Sequence, residues 1–184
     1  MPNDLITGNA FVALFENVKR SARRLEIRDR YAVDQPHLDR WLAGEFDELP
    51  VVDGRRVWLD RLRRTTAAGA LWQRTRVVRE PPTIGQRFLV MVGNQSVEAG
   101  EDIRYLQRDR ANDLDLPAHD FWLFDDKRLA FLWYTADDRT LGAQVVTEPS
   151  VVRQHRWWLD QAFAAAAPLA EYVAADPSRA MRPD

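Results

Sequence analysis

The chain has 184 residues, 46% of them hydrophobic and 29% charged, a length at the upper end of the usual single-domain range. It contains no cysteine, which excludes a disulfide scaffold, a thiol nucleophile, an iron–sulfur cluster and thiolate zinc sites. Its 26 basic and 28 acidic residues give a net charge of −2, which offers no general attraction to nucleic acid or anionic membranes. No segment approaches the roughly 18 consecutive apolar residues of a membrane span, and the N-terminus lacks a signal-peptide pattern, so we expect a cytoplasmic protein.

The first part of the chain predicts a helix that changes into a strand. Phe11, Leu14 and Val18 recur at helical spacing behind Asn9 as a candidate N-cap, and we expect this helix to end near Arg23. The alternation that follows indicates a half-buried strand through Leu25, Ile27, Tyr31 and Val33. Two further helices are predicted, over 37–43 and 55–68.

The middle of the chain predicts strands separated by helices and loops. A strand over 71–79 ends at two prolines, and Thr83 is placed to cap a helix over 84–97. A short strand over 102–107 and a polar linker over 108–119 complete this part.

Three antiparallel strands and a final helix are predicted next. Residues 120–146 form apolar runs separated by short acidic turns, which is typical of a β-meander, and Pro149 begins a helix that extends to Leu169. We expect one globular domain over 1–175 and a disordered tail over 176–184. The fold class is therefore α/β or α+β, with a mixed, largely antiparallel sheet, a C-terminal meander and helices packed against it.

Histidine and nucleophile patterns give little support for catalysis. The three histidines have no spacing that would place two imidazoles on one metal, and no GxSxG, P-loop or GxGxxG motif is present. We therefore expect no metal and no cofactor. The enzyme alternative is a small enzyme for a charged metabolite, with His119, Asp120 and Glu101 as acid–base groups and Arg104 beside them. His119 and Asp120 are adjacent in a strand, however, which points them to opposite faces.

Direct nucleic-acid binding is not expected. The basic helix over 55–64 follows a short helix, but the acidic segment over 44–54 is far longer than the turn of a helix-turn-helix motif. Trp157 lies opposite the apolar face of the last helix and is the candidate for a protein interface.

A group of charged residues near strands is the strongest candidate for a binding site. Charged side chains inside a sheet lower stability unless they are paired. The group forms either a buried salt-bridge network or a pocket for a charged small ligand, and the two alternatives remain open. Its members are Arg76, Arg87, Glu101, Asp102, Arg104, Asp120 and Asp125.

Five runs of the sequence form a recognisable set, and they begin at Ser21, Arg76, Ala99 (AGEDIRYL), His119 (HDFWLFDD) and Pro149. Together they resemble an uncharacterised actinobacterial family of unknown function. Such relatives resemble companions of helix-turn-helix regulators, which implies a non-enzymatic regulatory or interaction protein with a DNA-binding regulator as partner.

A looser resemblance is to phospholipase-D-like α/β sensor domains. The HxK spacing of that family is missing, because the second residue after each histidine is Asp39, Phe121 or Trp157. The resemblance therefore implies sensing or binding instead of catalysis.

Overall fold

The centre of the fold is a mixed sheet, which we describe from a computed structural model that covers residues 4–183. Three strands, β1 (Ser21–Glu26), β2 (Leu71–Val78) and β3 (Asp102–Gln107), run parallel to one another. Their pairing aligns Arg24 with Arg74 and Glu26 with Arg76. This register places charged side chains of neighbouring strands on the same face of the sheet.

Antiparallel strands extend the sheet on both sides. The meander strands β4 (Phe121–Phe124), β5 (Arg128–Tyr134) and β6 (Thr140–Val146) follow one another, and β4 pairs with β1. The two-residue strand β7 (Ala167–Pro168) pairs with β3. The order across the sheet is β6-β5-β4-β1-β2-β3-β7, which confirms the predicted mixed sheet with a C-terminal meander.

Helices cover both faces of the sheet. One face, called the front face, is covered by α1 (Gly8–Glu16), α2 (Gln35–Leu42), α3 (Asp53–Ala67), α4 (Ile84–Glu98) and α7 (Leu169–Ala175). The opposite face, called the back face, carries α5 (Arg108–Asp113) and α6 (Pro149–Ala165). Within residues 4–183, none of the helices combines the length and apolar character needed to cross a membrane.

Strand alternation divides the core between the two faces. Ala22, Trp72 and Trp122 point to the front face and pack against α1 and α3, whereas Leu25 and Val77 point to the back face and pack against α6. The parallel strands are therefore buried on both sides, as is typical of strands covered by helices on two faces.

The predicted α4 is confirmed despite its two glycines. The side chain of Thr83 accepts a hydrogen bond from the backbone N–H of Gln86, whose own side chain accepts from the backbone N–H of Thr83. At Gly93 an added Cβ would lie 2.9 Å from Leu169 Cδ1 and 3.1 Å from the Tyr105 hydroxyl, so these side chains would have to move. Local capping thus defines where the helix begins, and tertiary packing explains the glycine.

Two boundaries near the N-terminus were predicted wrongly. The first helix ends at Glu16 and not near Arg23, because residues from Ser21 onward pair with β2 and β4. Tyr31 and Val33 both lie outside the strand. Tyr31 precedes a short 3-10 helix over Ala32–Asp34, and Val33 lies within it. Strand pairing, which helical periodicity cannot show, decides both boundaries.

The last part of the chain also differs from the prediction. The expected linker over 108–119 contains α5, and the final helix stops at Ala165 before β7 and α7. Residues expected in a disordered tail form a 3-10 helix over Pro177–Ala180. Arg179 pairs with Glu80, and Arg182 donates to the backbone carbonyl of Trp41. These arginines hold the segment against the domain.

The turn between β4 and β5 ties the meander to the start of β1. Asp125 and Asp126 both have positive φ, 53° and 55°, as a type I′ hairpin turn requires. The carboxylate of Asp125 also accepts from the backbone N–H groups of Lys19, Arg20 and Ser21 at 3.2, 2.7 and 2.9 Å. Burial opposes ionisation, but these amides outweigh it and hold the pKa of Asp125 below its usual value.

Asp125→Ala should therefore destabilise the protein by about 2 kcal/mol more than Asp126→Ala, since both variants share the cost of positive φ and only one loses the three amide bonds. Urea unfolding at pH 7 measures the difference. Because the pKa of Asp125 is lowered, its stabilising effect is present above about pH 4 and is lost as the pH falls through the folded-state pKa. Equal midpoints for the two variants at pH 7 would contradict this role.

Candidate functional site

Charged residues two positions apart on β1 and β2 line the centre of the front face. Arg24 and Glu26 alternate with the buried Leu25, and Arg74 and Arg76 occupy the aligned positions of β2. A spacing of two residues keeps side chains on one face of a strand. The sheet therefore collects three arginines and a glutamate under the front helices.

The carboxylate of Glu26 is shared by three arginines. Its Oε1 lies 3.1 Å from Arg24 Nη1 and 2.7 Å from Arg74 Nη1, and its Oε2 lies 2.6 Å from Arg76 Nε. Burial alone would raise the pKa of Glu26, but the three guanidinium groups outweigh it and hold the pKa far below its usual value. Glu26 is thus the shared anionic partner of three arginines at the centre of the site.

Two further carboxylates complete the network. Glu101 binds Arg74 at 2.8 Å, and Asp120 lies 3.5 Å from Arg24. Asp120 also accepts from the hydroxyl of Tyr31 at 2.6 Å and from the backbone N–H of Ile27 at 2.9 Å. Burial raises the pKa of Asp120 in spite of these partners.

A cavity of about 580 Å³ lies between this network and the helices α1, α3 and α4. Its volume is within the range of sites that hold small molecules. Aromatic rings form part of its wall, and the guanidinium groups of Arg24 and Arg74 lie 5.3 and 5.5 Å from the ring centroid of Trp122. The rings that line it are Phe11, Phe15, Tyr31, Trp58, Trp122 and Tyr134.

The cavity lining has an excess of positive charge. It contains five arginines, at positions 24, 55, 61, 74 and 76, against the two carboxyl groups of Glu26 and Asp34. Burial, reinforced by the nearby Arg74, lowers the pKa of Arg55 to about 10. Burial also raises the pKa of Asp34. Because Glu101 and Asp120 pair with Arg74 and Arg24 from outside the lining, the excess of positive charge comes from Arg55 and Arg61.

Arg61 is the arginine of the lining with the weakest partner. The residue is only 9% exposed, its nearest carboxylate oxygen belongs to Glu16 at 4.0 Å, and its Nε has no hydrogen-bond partner among residues 4–183. A buried guanidinium with so little compensation lowers stability. A bound anion would compensate the charge of Arg61, although its Nε is itself enclosed by protein atoms.

A second depression, of about 800 Å³, lies at the carboxyl ends of the parallel strands. Its lining has four arginines and four carboxylates, so its charge is balanced. Asp138 binds Arg28 and Arg30, and Asp29 binds Arg79 and Arg108. Because these groups satisfy one another, the front cavity is the stronger candidate site.

The structure brings together three of the residues predicted for a charged site. Arg76, Glu101 and Asp120 all belong to the network beneath the front cavity. Asp102 and Arg104 pair with each other at 3.2 Å on the back face. Asp125 lies at the β4–β5 turn, and Arg87 is part of α4 and does not line the cavity.

The groups of the enzyme alternative are not brought together. Asp120 and Glu101 belong to the front network, whereas His119 is 3.2 Å from His155 (Nε2 to Nε2) and packs against Phe131 on the back face. His155 donates from Nδ1 to the carbonyl of Val151, so its Nε2 is the acceptor for His119. Burial lowers the pKa of both histidines. This pair keeps His119 away from the carboxylates.

Several residues of the site were missed by sequence reasoning. Arg24, Glu26 and Arg74 carry a recognisable signal, because charged residues alternate there with apolar ones inside predicted strands. Arg55 and Arg61 carry none, since they belong to a helix with arginines on several sides. Only the packing of α3 over the sheet directs these two into the cavity.

The chain belongs to the family described as a domain of unknown function, DUF6879, which residues 9–174 match. This match confirms the predicted membership of a family of unknown function. That the quoted motifs are specific to the family, and that the family is actinobacterial, stay predictions. No curated protein matches the chain.

Two solved structures are similar to the chain at low identity. NUC, a phospholipase D family member from Salmonella typhimurium, has a TM-score of 0.48 and 11% identity, over 86% of this chain and 88% of that protein. TrmBL2, an archaeal chromatin protein whose structure shows a novel mode of DNA binding, has a TM-score of 0.46 and 9% identity, over 84% of this chain. The match covers 47% of TrmBL2, so the chain spans about half of its length. At these values neither similarity bears on function.

Glu26→Gln should destabilise the protein by about 3–5 kcal/mol, because it leaves three buried arginines without their shared counter-charge. Glu45→Gln is the matched control, since Glu45 is exposed and pairs with the exposed Arg40, and its effect should stay below about 1 kcal/mol. Urea unfolding at pH 7 compares the two. A similar loss in both variants would show that the shared carboxylate is not structurally important.

Proposed function

We propose that this DUF6879 protein is a cytoplasmic, non-enzymatic regulatory protein that binds a small anionic molecule in the front cavity. The observation that carries the proposal is the charge around the cavity. The three strand arginines of the lining pair with Glu26, Glu101 and Asp120, whereas Arg55 and Arg61 of α3 lack a carboxylate within 3.5 Å among the described residues. Arg55 donates only to the neutral oxygens of Gln95 and Val92, so an anion in the cavity supplies the counter-charge that Arg55 and Arg61 lack. The charged residues near strands could form a salt-bridge network or a ligand pocket. For the arginines that line the cavity, we propose the ligand pocket.

The arginines of the lining divide into two groups. Arg24, Arg74 and Arg76 are tied to Glu26 and form a rigid floor, which supports precise placement of a ligand. Arg55 and Arg61 come from α3 and lack a bound carboxylate within 3.5 Å among the described residues. These two are the groups that we assign to the ligand.

The position of the cavity supports regulation. Its lining combines residues of α1, α3, α4 and the sheet, so one ligand contacts all of them together. A ligand that binds one arrangement of these helices more tightly stabilises that arrangement. The separation of His119 from the carboxylates supports binding without turnover.

Arg61→Met tests whether the cavity binds anions. We expect the variant to keep or raise the melting temperature, because it removes a poorly compensated buried charge, and to bind 8-anilino-1-naphthalenesulfonate about tenfold more weakly than the wild type. Fluorescence titration measures the affinity, and calorimetry measures the melting temperature. A purely structural arginine would instead lower the melting temperature when it is replaced.

Two controls make this test specific. Arg56→Met changes an exposed arginine of the same helix that does not line the cavity, and it should leave the affinity unchanged. N-phenyl-1-naphthylamine has the same rings without the sulfonate and should bind the wild type about tenfold more weakly. Equal affinity for the charged and neutral probes, or unchanged affinity in Arg61→Met, would refute the proposal.

A DNA-binding regulator of the helix-turn-helix class is the proposed partner, as the family resemblance implies. Trp157 supports an interface on α6, because its side chain is 51% exposed and tryptophan is enriched at protein interfaces. Tagged wild-type protein should retain such a regulator from host lysate, and Trp157→Ser should retain at least tenfold less by mass spectrometry. Arg153→Ser, an exposed change on the same helix, is the control. Equal retention by both variants would exclude this interface.

A further inference from the structure

Three exposed valines form the rim of the front cavity. Val12 of α1, Val33 of the first 3-10 helix and Val57 of α3 all line the cavity, and they are 40%, 75% and 58% exposed. Single exposed apolar residues are common on protein surfaces, but these come from three separate elements and all line one cavity. The cavity thus has an apolar rim and a floor of guanidinium groups.

From this arrangement we infer that the ligand is an amphiphilic anion, with its charged group against the arginines and its apolar part against the aromatic wall and the valine rim. The inference rests on the proposed function and adds the class of molecule and its orientation. The shared chemistry is a carboxylate, sulfonate or phosphate joined to an acyl or aryl group.

The two chemistries of the cavity exclude simpler ligands. A fully apolar molecule would cover the guanidinium groups of Arg55 and Arg61 without offering them the counter-charge that they lack. A small polar anion would satisfy the arginines but leave the rings of Trp58 and Trp122 and the valine rim without contacts. Only a molecule with both parts matches the whole lining.

A free molecule fits this site better than a lipid held in a membrane. Arg24, Arg74 and Arg76 belong to strands beneath α1, α3 and α4, and Arg55 and Arg61 belong to α3 itself. The apolar rim contains only three valines. The net charge of −2 gives no attraction to an anionic bilayer. The inference is therefore a free amphiphile that enters the cavity whole.

A series of straight-chain carboxylates tests the class of ligand. Titration calorimetry would measure the affinity of even-numbered acids from butanoate to dodecanoate and of the alcohol of equal length for each. The series separates the contribution of the charged group to affinity from that of the apolar chain. We expect affinity to rise about fourfold per methylene, and each acid to bind about tenfold more tightly than its alcohol.

The outcomes distinguish this inference from the proposed function. If acids bind better than alcohols but with no dependence on length, the amphiphile inference fails and the anion site stands. If acids and alcohols bind equally, the proposed function fails as well. Binding to vesicles of phosphatidylglycerol, with no binding of dodecanoate, would also overturn the inference, because the ligand would then be a membrane lipid.

A pair of valine variants tests the orientation. Val57→Asn should weaken decanoate binding about tenfold and leave hexanoate binding within about twofold, because only the longer chain reaches the rim. Val52→Asn is the matched control, since Val52 is 57% exposed, borders the same helix and does not line the cavity. Equal effects of the two variants on decanoate, or equal weakening of both acids by Val57→Asn, would overturn the proposed orientation.

Discussion

The buried carboxylate of Glu26 is the constraint on which the front half of the domain depends. Taking one carboxylate and three guanidinium groups out of water costs several kcal/mol per ion. This cost is recovered only when the groups lie within hydrogen-bonding distance, as they do here at 2.6–3.1 Å. The parallel register of β1 and β2 provides that geometry, because it places Glu26 beside Arg76 and Arg24 beside Arg74. Strand register and charge pairing therefore stabilise each other.

The same network creates the conditions for binding. Glu26, Glu101 and Asp120 neutralise the arginines of the strands, so the additional arginines contributed by α3 leave the lining positively charged. A rigid charged floor beneath partly apolar walls resembles ligand sites in general, where a few polar groups fix orientation and apolar surface supplies much of the affinity. The poorly compensated Arg61 suggests that some stability has been exchanged for this capacity.

Sequence reasoning succeeded where local chemistry decides the structure. The helix predicted over 84–97 behind Thr83 as its cap is present as Ile84–Glu98, and the meander was predicted from apolar runs between acidic turns. It failed where pairing with distant residues decides. The end of α1, the position of Tyr31 and the ordered residues 177–180 all depend on partners far away in the chain. The same limit applies to the site, because Arg76, Glu101 and Asp120 were found by their charge and Arg61 was not.

The sequence by itself determined the class of fold, the absence of thiol chemistry and the presence of charged residues inside strands. Each of these depends on composition or on a period of two or 3.6 residues, which any short segment carries. Only the tertiary structure decided which charges meet. Asp102 and Arg104 are near Glu101 in sequence but lie on the other face, whereas Glu26 and Arg74 are 48 residues apart and in contact. Sheet register and helix packing bring such residues together, and neither is encoded within one segment.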